Sequence, residues 1–359
     1  MKLNIVNQLA CQELPWLDEV QPASGVAVSC RIRLARNLAD YTFPRRADEA
    51  VRQEVFNKIA GVLSTQSLSP AAMVAEITDF DDVDRSVLLE RHLASPELCK
   101  CGYGSGIAIS SDETATILIN EEDHLRLQIL LPGMQLAEAW RRAAEIDAVL
   151  NSQLNLAFSS ELGYLTACPT NVGTGLRASV MLHLPALLLA GEMEAVMNAV
   201  EKLSFTVRGI LGEGTNAIGN FFQVSNQSTL GESEEEIIMR LERVIRQLVW
   251  HEQNARVRLI RKDRNRLYDH VGRAYGILRH AHLLNLHEAL NCLSAMRLGV
   301  DLGMFSSSVT VKTLNRLMLA IQPGHLQKRL ECKLTADARD MRRAEMARRE
   351  MRRAECGEK

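Results

Sequence analysis

Residues 26–34, Val-Ala-Val-Ser-Cys-Arg-Ile-Arg-Leu, set Val26, Val28, Cys30, Ile32 and Leu34 against Ser29, Arg31 and Arg33. Alternation of this kind is the period of a half-buried strand. It places Arg31 and Arg33 on one face, two residues of rise apart, with Cys30 pointing away from them. Segment 106–120 reads as a hairpin: Gly106–Ser110, a polar turn at Ser111-Asp112-Glu113, then Ala115–Asn120. Further short strands are predicted around 162–167, 204–211 and 220–226, with helical periods between them. Ser233 with Glu236 makes a capping-box signature. Ile237, Ile238, Leu241, Val244, Ile245, Leu248 and Val249 then form an apolar stripe, and 134–150 is patterned similarly. The mixture predicts an α+β domain, an antiparallel sheet flanked by helices, over residues 1–255. Residues 256–330 keep the helical period with little strand signal. Residues 334–355 are dominated by Arg, Glu, Ala and Met, with Met-Arg-Arg-Ala-Glu at 341–345 and again at 351–355. An all-helical second domain over 256–359 is expected.

Composition excludes several function classes. The 359 residues are 47% hydrophobic and 24% charged, and a net charge of −2 leaves no global field to draw the chain to nucleic acid or to an anionic membrane. No apolar run reaches the roughly 18 residues needed to span a bilayer. Met1–Gln12 lacks the basic start, apolar stretch and small-residue cleavage site of a signal peptide, so a cytoplasmic location is expected. The eight cysteines show no disulfide framework. Cys99 and Cys101 lie too close together for a standard zinc half-site and no second pair follows, so free thiols are expected.

The common nucleotide signatures are missing. There is no Walker A sequence, Gly102-Tyr103-Gly104-Ser105-Gly106 lacks the last glycine of GxGxxG, and neither His251-Glu252 nor His287-Glu288 continues into HExxH. Four other segments set arginines, acids and one cysteine in Gly-rich or acidic contexts. They are Ser29-Cys30-Arg31-Ile32-Arg33; Asn120-Glu121-Glu122-Asp123-His124-Leu125-Arg126; Cys168-Pro169-Thr170-Asn171 running through Gly173-Thr174-Gly175-Leu176 to Arg177-Ala178-Ser179-Val180; and Arg208-Gly209-Ile210-Leu211-Gly212-Glu213. Each alone has a plain structural explanation. A strand arginine is commonly an ion-pair residue, three acids in a row a solvated turn, and a free cysteine a small buried hydrophobe.

Together and in this order the four segments resemble the catalytic domain of the phosphagen (guanidino) kinases, over roughly residues 25–255. The resemblance implies that Arg31, Arg33, Arg126, Arg177 and Arg208 surround the phosphates of ATP, with Mg2+ bridging them. The implied nucleotide site takes in Ser29, Cys30, Ile32, Ala178, Ser179, Val180, Met181, Gly209, Ile210, Leu211, Gly212 and Glu213. It also places His92, in Glu90-Arg91-His92-Leu93, near the nucleotide, a structural histidine being the alternative reading. The chemistry agrees, since phosphoryl transfer is catalysed by positioning and by neutralising charge. Guanidinium forks bind phosphate bidentately and are never deprotonated. An acceptor guanidinium, with a pKa above about 12, is no nucleophile until a proton is held or removed. By resemblance Glu122 and Glu213 bracket that group and take the proton, and Cys168 sits beside it as a thiolate in a tuning role. Glu121 and Asp123 are left to the magnesium shell or to the turn itself.

Creatine and arginine kinases carry an all-helical domain before the first arginine strand. Here Arg31 follows thirty residues, so a site more open on its acceptor side is expected, suited to a macromolecule. The short lead, the run Ser29–Asn37, the stretch Gly219–Gly231 and the helical tail are similar to the bacterial protein-arginine kinases of the McsB type. Arg339-Asp340-Met341-Arg342-Arg343-Ala344 matches that family's phosphoarginine motif. Arg339 and Arg343 would clamp a phosphoryl group there and Asp340 would pair the guanidinium, as an allosteric site. The plainer alternative is a solvated Arg/Glu helix with i,i+3 and i,i+4 pairs, as in the near-copy Arg349–Ala354. The resemblance further implies protein substrates, a homodimer formed through the second domain, a zinc-containing activator protein, and delivery of marked substrates to a Clp ATPase and its protease. Two rivals stay open: a kinase for free arginine, and an inactive phosphoarginine-binding adaptor.

Overall fold

The computed structural model describes residues 2–17, 25–65, 73–209, 217–305 and 309–356. Its strands are β1 (Ala27–Arg36), β2 (Met73–Glu76), β3 (Gly106–Ile109), β4 (Ala115–Ile119), β5 (Leu125–Pro132), β6 (Phe158–Ser159), β7 (Gly163–Tyr164), β8 (Leu176–His183), β9 (Phe205–Gly209) and β10 (Phe221–Asn226). The helices are α1 (Lys2–Cys11), α2 (Glu49–Thr65), α3 (Asp82–Glu90), α4 (Leu136–Gln153), α5 (Pro185–Leu189), α6 (Met193–Glu201), α7 (Glu234–Lys262), α8 (Arg264–His280), α9 (Leu286–Asp301), α10 (Val311–Ala320), α11 (Pro323–Arg329) and α12 (Ala336–Cys356). Eight strands form one sheet in the order β2-β3-β4-β5-β1-β8-β10-β9, and β6 pairs with β7 separately. The ladders β2–β3, β3–β4, β4–β5 and β5–β1 are antiparallel. The fold class is therefore the expected α+β sheet with a helical C-terminal part.

The chain divides into two compact units. The first comprises Met1–Val6, Ser29–Val180 and Ser225–Arg243, and the second Asn7–Val28, Met181–Val224 and Val244–Lys359. In the first, β1 realises its sequence period. Cys30, Ile32 and Leu34 are fully buried, while Arg31 and Arg33 stand half-buried on the other face. The expected hairpin is β3–β4, closed by Ser110 N–H donating to Ala115 O at 2.9 Å. All five residues of β4 are buried, in keeping with its Ala-Thr-Ile-Leu-Ile run. The strand expected around 162–167 shrinks to Gly163–Tyr164. Gly163 turns the chain at φ +78, and Ala167 N–H bonds a side chain instead of a ladder partner. The strand expected over 204–211 is β9, with residues 210 and 211 lying outside the described residues.

The capping box opens α7 as predicted. Ser233 N–H donates to Glu236 Oε2 at 2.9 Å and Glu236 N–H returns to Ser233 Oγ at 3.3 Å. The stripe from Ile237 to Leu248 is buried, and the helix continues through residue 255 to Lys262. In the second unit a helical core gathers Leu267, Val271 and Leu278 of α8, Leu290, Leu293 and Met296 of α9, and Ala344, Ala347 and Met351 of α12. No helix among the described residues is long and apolar enough to cross a membrane.

Candidate active site

The β1–β5 register sets Arg33 opposite Gln128 and Ala35 opposite Arg126. Side chains alternate faces along a strand, so Arg31, Arg33 and Arg126 share one face of the sheet. Arg177 enters from β8, the next strand to β1. Burial together with their mutual repulsion lowers the proton affinity of Arg31 and Arg33. Burial, then Arg126 and Arg177, pull Arg31 down to about 10. Burial, then Arg31, Arg126 and Arg177, pull Arg33 well below its ordinary value, with Glu121 opposing. Arg33 Nε is buried without a hydrogen-bond partner. A half-buried cluster of like charges with an orphaned donor is a site built for a polyanion.

His92 belongs to the same surroundings. It holds φ +59 just past the end of α3, where Leu93 N–H closes back on Leu88 O at 2.9 Å. Burial, then Arg31, lower its pKa to about 4, so the imidazole is neutral beside the cations. Its carbonyl accepts from Gln128 Nε2 at 2.7 Å. Cys30 and Ile32 face the core, and burial pushes the Cys30 thiol up to about 12. Ser29, Ala178, Ser179 and Val180 are buried along their strands, and Met181 is half-buried.

The acidic turn assigns its three acids different tasks. Asn120 starts it at φ +52, its side-chain amide donating to Arg52 O at 2.8 Å and Gly104 O at 2.6 Å. Glu121 is buried, takes a hydrogen bond from Ser95 Oγ, and lies 2.6 Å from Arg126. Glu122 is more open at 24% side-chain exposure. One of its oxygens meets Arg126 at 3.1 Å and the other lies 3.5 Å from Arg45 on the surface. Asp123 is turned inward, its Oδ1 accepting from Asn37 Nδ2 and from Ala167 N–H. His124 accepts from Leu38 N–H on Nδ1 at 3.1 Å and donates from Nε2 to Thr42 O at 3.2 Å, a pattern that requires the neutral ring. Of the three carboxylates, Glu122 alone faces outward beside the arginines.

Cys168 is half-exposed at the start of the short turn Pro169–Asn171, with Sγ 3.0 Å from Thr170 Oγ1. Thr229 Oγ1 pins that turn through Thr170 O and Val172 O at 2.9 and 2.7 Å. The chain then reaches Arg177 through Gly175. There φ is +64, and a Cβ would stand 2.6 Å from both Ala35 O and the Arg36 guanidinium, so only glycine fits. Arg36 itself escaped the sequence reading. It is 1% exposed, forks onto Asp147 at 3.0 and 2.8 Å, and donates to Ala35 O and Thr174 O at 2.9 Å. Its partner lies 111 residues away, which no local pattern reveals.

Similarity to known proteins covers nearly the whole chain. Residues 54–255 match the C-terminal catalytic domain of ATP:guanido phosphotransferases, and residues 264–359 match the C-terminal domain of the protein-arginine kinase McsB. A protein-arginine kinase of Halothermothrix orenii is 45% identical over 331 residues, spanning 92% of this chain and 94% of the relative. The chain belongs to the protein-arginine kinase family. A second member, from Syntrophomonas wolfei, is 43% identical over 348 residues, covering 96% of this chain and 97% of its own. Among solved structures, lombricine kinase superposes with a TM-score of 0.58 at 26% identity, covering 69% of this chain and 75% of that one.

The remaining candidates lie in the second unit. Arg208 is exposed near the end of β9 and Gly209 ends the strand. Ile210, Leu211, Gly212 and Glu213 lie outside the described residues. In the tail motif, on α12, Arg343 is 2% exposed and donates to Ile321 O at 3.0 Å, Leu284 O at 2.9 Å and Asp340. Arg339 donates to Leu334 O at 3.0 Å. In the near-copy, Arg349 and Arg353 keep more than half of their side chains exposed. The two stretches thus differ in burial although their letters nearly coincide.

Proposed function

We propose that this chain transfers the γ-phosphoryl group of ATP to arginine guanidinium groups of protein substrates. The observation that carries the proposal is the set of four arginines, Arg31, Arg33, Arg126 and Arg177, crowded against their own repulsion, with the open carboxylate of Glu122 hung from one of them. The cluster binds the triphosphate and offsets the charge that spreads over the transferring group. Glu122 receives the acceptor guanidinium, aligns its nitrogen and holds its proton; Glu213 is its proposed counterpart, and Cys168 lines the acceptor side. His92, neutral, adds a hydrogen-bonding group beside the nucleotide without adding repulsion.

Mg2+, when bound, screens the phosphate oxygens. No group of three or more His, Cys, Asp or Glu side chains that could hold a metal ion occurs among the described residues. The proposed division is a catalytic region over residues 1–255 and a helical region over 256–359. In the latter, Arg339, Asp340 and Arg343 form the proposed phosphoarginine site, which regulates the enzyme. A homodimer, a zinc-containing activator, handover to a Clp ATPase and a cytoplasmic setting complete the proposal, resting on family membership. The test supplies Mg-ATP with an arginine-rich protein and, separately, with free arginine, and locates the phosphate by mass spectrometry without acid. Phosphate on protein arginines is expected. Phosphate on free arginine alone refutes the protein substrate, and none anywhere favours a binding adaptor.

A further inference from the structure

Asp123 is fully buried, yet both of its hydrogen bonds fall on one oxygen. Oδ1 accepts from Asn37 Nδ2 at 2.6 Å and from Ala167 N–H at 2.6 Å, while Oδ2 has no partner. Asn37, 1% exposed, reaches the same segments with the rest of its atoms. Its Oδ1 accepts from His124 N–H at 2.9 Å, and its Nδ2 also donates to Leu165 O at 3.1 Å. Its own carbonyl accepts from Ala157 N–H at 2.7 Å, and Ala157 O in turn accepts from Leu165 N–H at 2.9 Å.

The positions of these residues in the chain give the bonds their meaning. Asn37 directly follows β1, the strand of Arg31 and Arg33. Asp123 directly follows Glu122, and Ala167 directly precedes Cys168. One amide–carboxylate pair therefore joins the phosphate-binding strand, the outward carboxylate and the thiol segment, three pieces of chain far apart in sequence. Burying a carboxylate with one oxygen unpartnered is costly, and an apolar side chain would fill the space more cheaply. What an apolar residue does not supply is a fixed distance between the turn and the 165–167 backbone.

We propose that Asn37 and Asp123 are positioning residues for phosphoryl transfer, a buried clasp that sets the Cys168 segment against Glu122 and so fixes where the acceptor guanidinium is held. The inference rests on Glu122 and Cys168 being acceptor-side groups. A misplacement of about 1 Å at a reacting group costs on the order of 100-fold in rate. Asp123→Ala should therefore lower kcat by about 30-fold or more while leaving the KM for ATP within about twofold, because the arginine face of β1 and β5 is untouched. Amide hydrogen exchange across residues 163–170 should speed up by about tenfold or more in the same variant. Asp123→Asn keeps an oxygen able to accept both bonds and should return kcat to within about tenfold of the parent. Asn37→Ala should repeat the pattern, and the double variant should be no worse than Asp123→Ala alone, since both act through one clasp.

The experiment measures steady-state kinetics on an arginine-containing peptide together with exchange on the full-length protein. If Asp123→Ala does not fold, Asn37→Ala and Asp123→Asn carry the same comparison. Parent-like kcat in folded Asn37→Ala or Asp123→Ala overturns the inference, as does unchanged exchange at 163–170, or a kcat loss matched by an equal rise in the KM for ATP. A parent enzyme that phosphorylates nothing refutes the proposed function instead, and the exchange result then still decides whether the clasp holds the segment.

Discussion

Substituting Asp147→Ala removes two of the four hydrogen bonds of a buried arginine. Arg36 would keep its bonds to Ala35 O and Thr174 O and its place over the Tyr164 ring, 3.5 Å from the centroid, but lose its counter-charge. Breaking a buried ion pair costs about 3–5 kcal/mol. The Asp147 side chain is 13% exposed, which admits some water, and the ring contact retains about 1 kcal/mol. Both push the expected loss to the low end, about 3 kcal/mol, or roughly 6–12 °C in melting temperature. Because Arg36 also tethers Thr174 three residues before Arg177, the KM for ATP should rise several-fold. Urea melts followed by circular dichroism supply the measurement, with a lowered midpoint at unchanged slope. The double variant Arg36→Met/Asp147→Leu should recover much of the stability, since it leaves no charge behind. A loss below about 1 kcal/mol for Asp147→Ala, or a double variant as unstable as the single, would refute the reasoning.

Two further outcomes are expected. Arg33→Met removes a cation that three neighbours repel, so melting temperature should rise slightly while ATP affinity falls about 10–100-fold by titration calorimetry; a fall in both would mean that the cluster carries no electrostatic strain. Burial lowers the His124 pKa to about 4, below the 6.5 of the unfolded chain, so the unfolded state binds the proton first as pH falls. Its contribution is complete above pH 6.5 and is lost between 6.5 and about 4, worth up to roughly 3 kcal/mol. Urea midpoints across that window should drop in the parent and drop less in His124→Gln; equal slopes would exclude His124 as the cause.

Much of this architecture could be read from local pattern. The alternation through Cys30, Ile32 and Leu34 placed Arg31 and Arg33 together because a strand exposes every second residue. The Ser233–Glu236 box opened α7 because capping is a matter of three neighbouring residues. The letters of the acidic turn did not say which of its acids faces solvent. Glu121 and Asp123 look like Glu122 in sequence, and only Ser95, Asn37 and the Ala167 backbone, brought in from elsewhere, turn the two of them inward. Arg36 stood unnoticed within the strand for the same reason. The tail shows the reverse case, where near-identical motifs separate only because Arg343 reaches the carbonyls of Ile321 and Leu284.

The central claim is that phosphate passes to a guanidinium nitrogen with Glu122 holding the acceptor. Phosphorus-31 NMR of the product formed from Mg-ATP and an arginine-rich protein measures this directly. A phosphoramidate resonance that is lost on mild acid treatment is predicted, formed by Glu122→Gln about 10²–10⁴-fold more slowly at nearly unchanged KM for ATP. An acid-stable phosphate ester, or a Glu122→Gln variant that works at the parent rate, would contradict the account.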